Sequence, residues 1–141
     1  MKNYIRIAIL FILLVSACSP ASSPFKKWTS SQAGAAINSA GLEYSGAKPM
    51  TKADYGMAPM TAIEGTHFLI PSLCADCGGR IFSFASQGDL DATQAYYVNL
   101  GKGSAALFSW VYAKDNILVQ INGDLAEAKA KQYQEALNNL K

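Results

Sequence analysis

The sequence contains few of the residue types on which catalytic and metal sites depend. It has one histidine, His67, and three cysteines among 141 residues. No G-x-S-x-G segment occurs, so a serine hydrolase would lack its usual signature, and LGKGS at 100–104 lacks the spacing of a phosphate-binding loop. Acidic pairs such as Asp124 and Glu127 are better explained as helix caps than as acid/base pairs. We therefore predict no catalytic residue, no cofactor and no enzymatic activity.

An excess of charge of one sign is also missing once the first residues are set aside. Lys2 and Arg6 belong to the 12 basic side chains, and the other 10 balance the 10 acidic ones. A neutral domain has neither the basic surface that nucleic acids require nor the polybasic patch that anionic lipids attract. We therefore expect no nucleic-acid partner.

The N-terminal segment carries the pattern of an export signal. Between Ile7 and Ala17 there is no charge, yet this apolar run is shorter than the roughly 20 residues of a membrane-spanning helix. Basic residues precede it, as in a secretory signal. It ends in Val15-Ser16-Ala17-Cys18, which resembles the lipobox of bacterial lipoproteins. The resemblance implies cleavage before Cys18 and diacylation of that cysteine, and two acyl chains suffice for stable anchoring.

These features predict how the chain is organised. We expect a signal peptide at 1–17, a lipidated Cys18 with a flexible Ser/Pro-rich tether at 18–27, and a single domain at 28–141. Ser19 is not a retention signal of the aspartate type, so the resemblance implies a lipid anchor in the outer membrane, or on the outer face of the plasma membrane where a cell has only one. The alternatives are an ordinary cleaved signal with a chance cysteine and a short uncleaved anchor.

Periodicity predicts an α+β fold in the order α-ββ-α-ββ-α. Thr29 and Gln32 form a capping box before a helix that Gly41 ends, and a second helix follows Ser86 or Asp89 and stops at Gly101. Strand-like runs cover 66–72 and 79–85, and two more surround a tight turn at 114–116. A third helix follows Asp124. Residues 42–65 read as a long loop. We expect an antiparallel sheet of about four strands with about three helices packed on one face.

Cys74 and Cys77 have the C-x-x-C spacing and are followed by Gly78 and Gly79. In an exported protein a nearby pair tends to close, and a four-residue turn brings the Cα atoms within disulfide range. We interpret the pair as a local staple between strands. A thiol-disulfide redox centre is the alternative, and Arg80 could lower a thiol pKa there, but the following residues predict a strand instead of the helix N-terminus that activates such thiols.

Metal binding receives less support from the sequence. Zinc sites use four ligands, whereas Cys74, Cys77 and His67 make three and Asp76 would be an awkward fourth. Copper(I) prefers soft ligands, which Met50, Met57, Met60 and His67 could supply, but methionines commonly fill gaps under a long loop. We predict no metal site.

The mature region is similar to a group of small bacterial lipoproteins without assigned biochemistry, in segments such as GGRIFSF and LFSWVYAKDNILVQINGDL. The similarity implies no catalytic residues. We therefore expect a membrane-anchored envelope protein that binds an unknown envelope protein, wall polymer or small ligand. Its recognition surfaces would be the loop at 47–65 and the turn around Cys74 and Cys77, which we call the cysteine turn. An envelope redox protein and a copper-binding lipoprotein are the alternatives.

Overall fold

The structure is a computed structural model that describes Phe25 and residues 27–141. The predicted signal peptide, Cys18 and nearly all of the tether lie outside the described residues. Within the described residues, four α-helices and five β-strands form the fold. They are α1 (Ser30–Ser39), β1 (Ser45–Pro49), α2 (Lys52–Tyr55), β2 (Glu64–Leu69), β3 (Gly78–Ser83), α3 (Gln87–Gly103), β4 (Ser109–Lys114), β5 (Ile117–Asn122) and α4 (Glu127–Asn138), with a 3-10 turn at Ala105–Leu107 before β4.

The five strands form one antiparallel sheet in the order β1-β2-β3-β5-β4. This confirms a mixed α+β fold, with one more strand and one more helix than expected. Both additions, β1 and α2, lie in the stretch that the sequence suggests is a loop. The sequence pattern does not indicate them, because β1 is an exposed edge strand with no apolar alternation and α2 has a single turn.

Helices cover both faces of the sheet, so the expectation of helices on one face is wrong. Consecutive residues of a strand point to opposite faces. Ile81 packs in a core with Ile37 of α1 and Tyr133 of α4, whereas the next residue, Phe82, packs in a separate core with Tyr97 of α3. Helix α3 therefore lies across the sheet from α1 and α4.

Local sequence signals explain several element boundaries. The predicted capping box is present, since Gln32 N–H donates to Thr29 Oγ1 and the Gln32 side chain accepts from Thr29 N–H. Gly41 follows the end of α1 with a φ of 72°, a conformation that favours glycine. The prediction that Gly101 ends the second helix is wrong, because α3 continues to Gly103.

The β4–β5 hairpin holds residues 27 and 28 through side-chain hydrogen bonds. Asp115 in its turn has a φ of 51°, as expected for a tight connection. The buried Asn116 side chain accepts hydrogen bonds from Lys27 N–H at 3.0 Å and Trp28 N–H at 2.8 Å, and donates to Trp28 O at 2.8 Å. The chain therefore joins the domain at the hairpin end of the sheet. Within residues 27–141 no helix is long and apolar enough to cross a bilayer.

Candidate functional site

A cleft of about 470 Å³ lies on the α3 face of the sheet, at the end away from the hairpin. Alternation along β3 explains why it is open there. Phe82 is covered by Tyr97 of α3, whereas Arg80, the next residue on the same face, lies beyond that cover. The volume of the cleft is in the range of small-molecule binding sites. The remaining boundary is formed by the α2 segment, the cysteine turn and the 3-10 turn.

Three polar side chains from three strands form a row across the floor of this cleft. His67 of β2 is paired with Arg80 of β3, which is paired with Gln120 of β5. Directly opposed side chains on neighbouring strands lie about 5 Å apart, so the row is continuous. We call His67, Arg80 and Gln120 the polar row.

Arg80 is held in place by neutral groups. Its Nε donates to the carbonyl oxygen of Asp54 at 3.0 Å, and its Nη1 donates to Gln120 Oε1 at 2.9 Å. Gln120 is oriented in turn, because its Nε2 donates to Ser109 Oγ at 2.9 Å. In the part of the chain that the structure describes, no carboxylate lies within 4.0 Å of the guanidinium. These bonds use two of its five donors, which leaves a positioned cation able to receive an anionic group.

His67 is the second unusual member of the polar row. Its Nδ1 atom is buried and makes no hydrogen bond to any described residue. Burial lowers the pKa of His67 below its ordinary value of 6.5, and the positive charges of Arg80 and Lys48 act in the same direction against the opposing effect of Asp54. His67 is therefore neutral at pH 7, and Arg80 supplies the positive charge of the floor.

Carboxylates also line the cleft. Asp54 accepts hydrogen bonds from Thr51 N–H at 2.6 Å and Thr51 Oγ1 at 2.8 Å, and these bonds lower the pKa of Asp54. Asp76 of the cysteine turn and Asp124 after β5 are exposed at the rim and belong to no ion pair among residues 27–141. The cleft thus combines a cationic floor with an anionic rim.

Three apolar side chains line the cleft although they face solvent. Met57 is 85% exposed, Leu107 53% and Phe108 41%, and all three line the cleft. We call these three residues the apolar wall. Phe108 is held edge-on against Trp110, with ring centroids 4.9 Å apart, and packs closely against Gly123, where no side chain intervenes. Phe108 is therefore supported from below, so that its ring can contact a ligand without first rearranging.

The cysteine turn borders the same cleft. Cys74 and Cys77 lie at disulfide distance, with sulfur atoms 2.03 Å apart, and the turn connects β2 to β3 as predicted. Cys77 leads directly into β3, and Asn122 Nδ2 lies 3.6 Å from Cys77 Sγ. Gly78 and Gly79 have no positive φ. They are required instead by close approach, because a Cβ at Gly78 would collide with the carbonyl oxygen of Phe68.

The residues considered as metal ligands have different surroundings. Met57 and His67 line the cleft, Met50 packs against Gly65, and Met60 is exposed outside the cleft lining. Within the described chain, no group of three or more His, Cys, Asp or Glu side chains is arranged to hold a metal ion.

Sequence reasoning missed most of the cleft. The sequence does not single out Gln120, and it suggests Arg80 only as an influence on a thiol pKa and His67 only as a metal ligand. A usable signal was present, since a single Arg interrupts GGRIFSF and a single Gln interrupts ILVQIN, and polar residues inside buried strands need a reason. In comparisons with protein-family models, curated proteins and solved structures, nothing matches this chain.

Proposed function

We propose that this protein is a non-enzymatic, lipid-anchored envelope protein whose domain binds a small ligand in the cleft above the polar row. One observation carries the proposal. Arg80 is positioned by neutral acceptors, has donors to spare, and lies in an open cleft beside an apolar wall. An arginine kept only for stability would more often be paired with a carboxylate, because a charge that is partly removed from water needs compensation.

The anchor is the second part of the proposal and depends on the lipobox resemblance at Cys18. The hydrogen bonds of Asn116 hold Lys27 and Trp28 at the hairpin end of the sheet, and the cleft lies at the other end of the same strands. Six-residue β5 spans about 17 Å between these ends. A domain tethered through Lys27 would therefore present its cleft away from the membrane, where ligands arrive.

Ligand binding can be tested through the single histidine. The ring proton signals of His67 report on the cleft floor without overlap from other histidines. We expect these signals to shift when the purified full-length protein, in detergent, is titrated with small acids, amines, zwitterions and neutral sugars. Arg80→Gln should reduce the response, whereas Lys129→Gln on the far side of the sheet should leave it unchanged. If no compound shifts the His67 signals, the proposed binding site is wrong.

Anchoring has its own test, which does not depend on the ligand. Mass spectrometry of the protein from its native membrane should find a diacylated N-terminal Cys18, and Cys18→Ala should abolish the modification. An unmodified Cys18 in an otherwise mature chain would contradict the anchor and leave the cleft unaffected.

A redox role for Cys74 and Cys77 is the second candidate, favoured by the position of the disulfide at the edge of the cleft. Because Cys77 continues into a strand, it lacks the helix dipole that stabilises a reactive thiolate. We therefore propose a structural disulfide. A measured reduction potential below about −300 mV is expected for a structural bond, and one near that of thiol oxidoreductases would favour the redox role.

A further inference from the structure

We infer that the cleft binds a zwitterion with an apolar substituent, an amino acid or a short peptide with free ends. In this arrangement the carboxylate pairs with Arg80, the ammonium group with the rim carboxylates of Asp76 and Asp124, and the substituent with the apolar wall. The inference rests on the proposed function and names the class of ligand.

The charges of the cleft exclude the simpler ligand classes one by one. A plain anion would be attracted by Arg80 but would also meet the carboxylates of Asp54, Asp76 and Asp124. His67 adds no charge at pH 7, and Lys48 lies outside the lining residues, next to His67 on β1. A plain cation would meet the rim favourably but would approach an uncompensated guanidinium at the floor. A ligand that carries both charges can pair its anionic group with the floor and its cationic group with the rim.

The depth at which each charge lies gives the ligand an orientation. Arg80 is fixed by two hydrogen bonds at the level of the sheet, whereas Asp76 and Asp124 are exposed at the rim. The carboxylate end therefore points to the sheet and the ammonium end to solvent. Arginine also matches a carboxylate geometrically, since it can donate two parallel N–H bonds to the two oxygens.

The apolar wall supplies the remaining selectivity. Met57, Leu107 and Phe108 are among the most exposed large apolar side chains of residues 27–141, and all three line the cleft. A cleft of about 470 Å³ has room for a dipeptide with two apolar side chains. Covering part of this surface favours a ligand with leucine-like side chains over one with glycine.

The test compares four dipeptides that differ in one feature each. Binding of Leu-Leu, N-acetyl-Leu-Leu, Leu-Leu-amide and Gly-Gly to the full-length protein in detergent is measured by titration of the His67 signals. We expect Leu-Leu to bind most tightly, with an affinity about tenfold higher than each of the other three. A tenfold change in affinity corresponds to about 1.4 kcal/mol. Equal binding of Leu-Leu and its amide would overturn the inference.

Variants assign each end of the ligand to its partner. The variant Arg80→Gln should bind Leu-Leu and Leu-Leu-amide with equal affinity. The double variant Asp76→Asn/Asp124→Asn should bind Leu-Leu and N-acetyl-Leu-Leu with equal affinity. Lys129→Gln serves as the matched control and should retain both preferences. The ligand comparison on the unaltered protein decides the inference even if a variant fails to fold.

Failure of the inference can be distinguished from failure of the proposed function. Hexanoate, hexylamine and a neutral sugar are titrated in parallel. If one of them shifts the His67 signals and the dipeptides do not, the cleft is a binding site for another class and the zwitterion is refuted. If the dipeptides and all three other compounds leave the signals unchanged, both proposals fall.

Discussion

Replacement of Gly79 by alanine tests the strand register on which the polar row depends. A methyl group at this position would lie 2.5 Å from the carbonyl oxygen of Gln120 and 2.7 Å from Cζ of Phe68. The carbonyl belongs to the neighbouring strand and cannot rotate away. Without such contacts, alanine in place of glycine would stabilise a strand by reducing the freedom of the unfolded chain.

The expected cost follows from overpacking of a well-packed core, which is about 1–3 kcal/mol. For a domain of this size 1 kcal/mol corresponds to about 4 °C, so the Tm of Gly79→Ala should fall by about 8 °C. Gly88→Ala is the matched control. Gly88 lies in α3 with no atom within 4 Å of the added methyl, and alanine should raise the Tm by about 2–4 °C there.

Thermal unfolding followed by circular dichroism measures both variants. Opposite signs of the two shifts support the described pairing of β2, β3 and β5. A Tm for Gly79→Ala equal to or above that of the unaltered protein would refute the reasoning, because Phe68 and Gln120 could not then be where the register places them.

Three further predictions concern other parts of the domain. Asn116→Ala removes three short hydrogen bonds to the first described residues and should cost about 3 kcal/mol in urea unfolding; a loss below 1 kcal/mol would contradict the hairpin attachment. Reduction of the Cys74–Cys77 bond, or a double serine variant, should cost only about 2 kcal/mol because the ring is small, and complete unfolding would contradict this. The pKa of His67 is lowered on folding, so its contribution to stability is present above pH 6.5 and is lost as pH falls through the folded pKa. His67→Gln should flatten this part of the stability profile, and an unchanged slope would contradict the burial of His67.

Features that depend on neighbouring residues could be predicted from the sequence. The capping box of α1 needs only the spacing of Thr29 and Gln32, and the β4–β5 hairpin needs two strand-forming runs around a short turn. The Cys74–Cys77 bond follows from the reach of a four-residue turn. In each case the interacting groups lie within a few residues of each other, so local geometry is sufficient.

Features that depend on distant residues could not be predicted. β1 is recognisable as a strand only because β2 provides its partner, and the side of the sheet on which α3 packs follows from which residues of β3 and β5 face it. The polar row combines three strands, and Gln120 lies 40 residues after Arg80. A shift of one residue in any of these pairings would turn its side chain to the opposite face.

The amino-acid sequence by itself thus determined the start of α1, the hairpin, the disulfide and the mixed α+β composition. The tertiary structure alone decided that Arg80, His67 and Gln120 share one floor, that carboxylates surround it, and that an apolar wall stands beside it. The reason is physical. Local elements arise from spacing along the chain, whereas a binding cleft arises from register and packing between segments that are far apart in sequence.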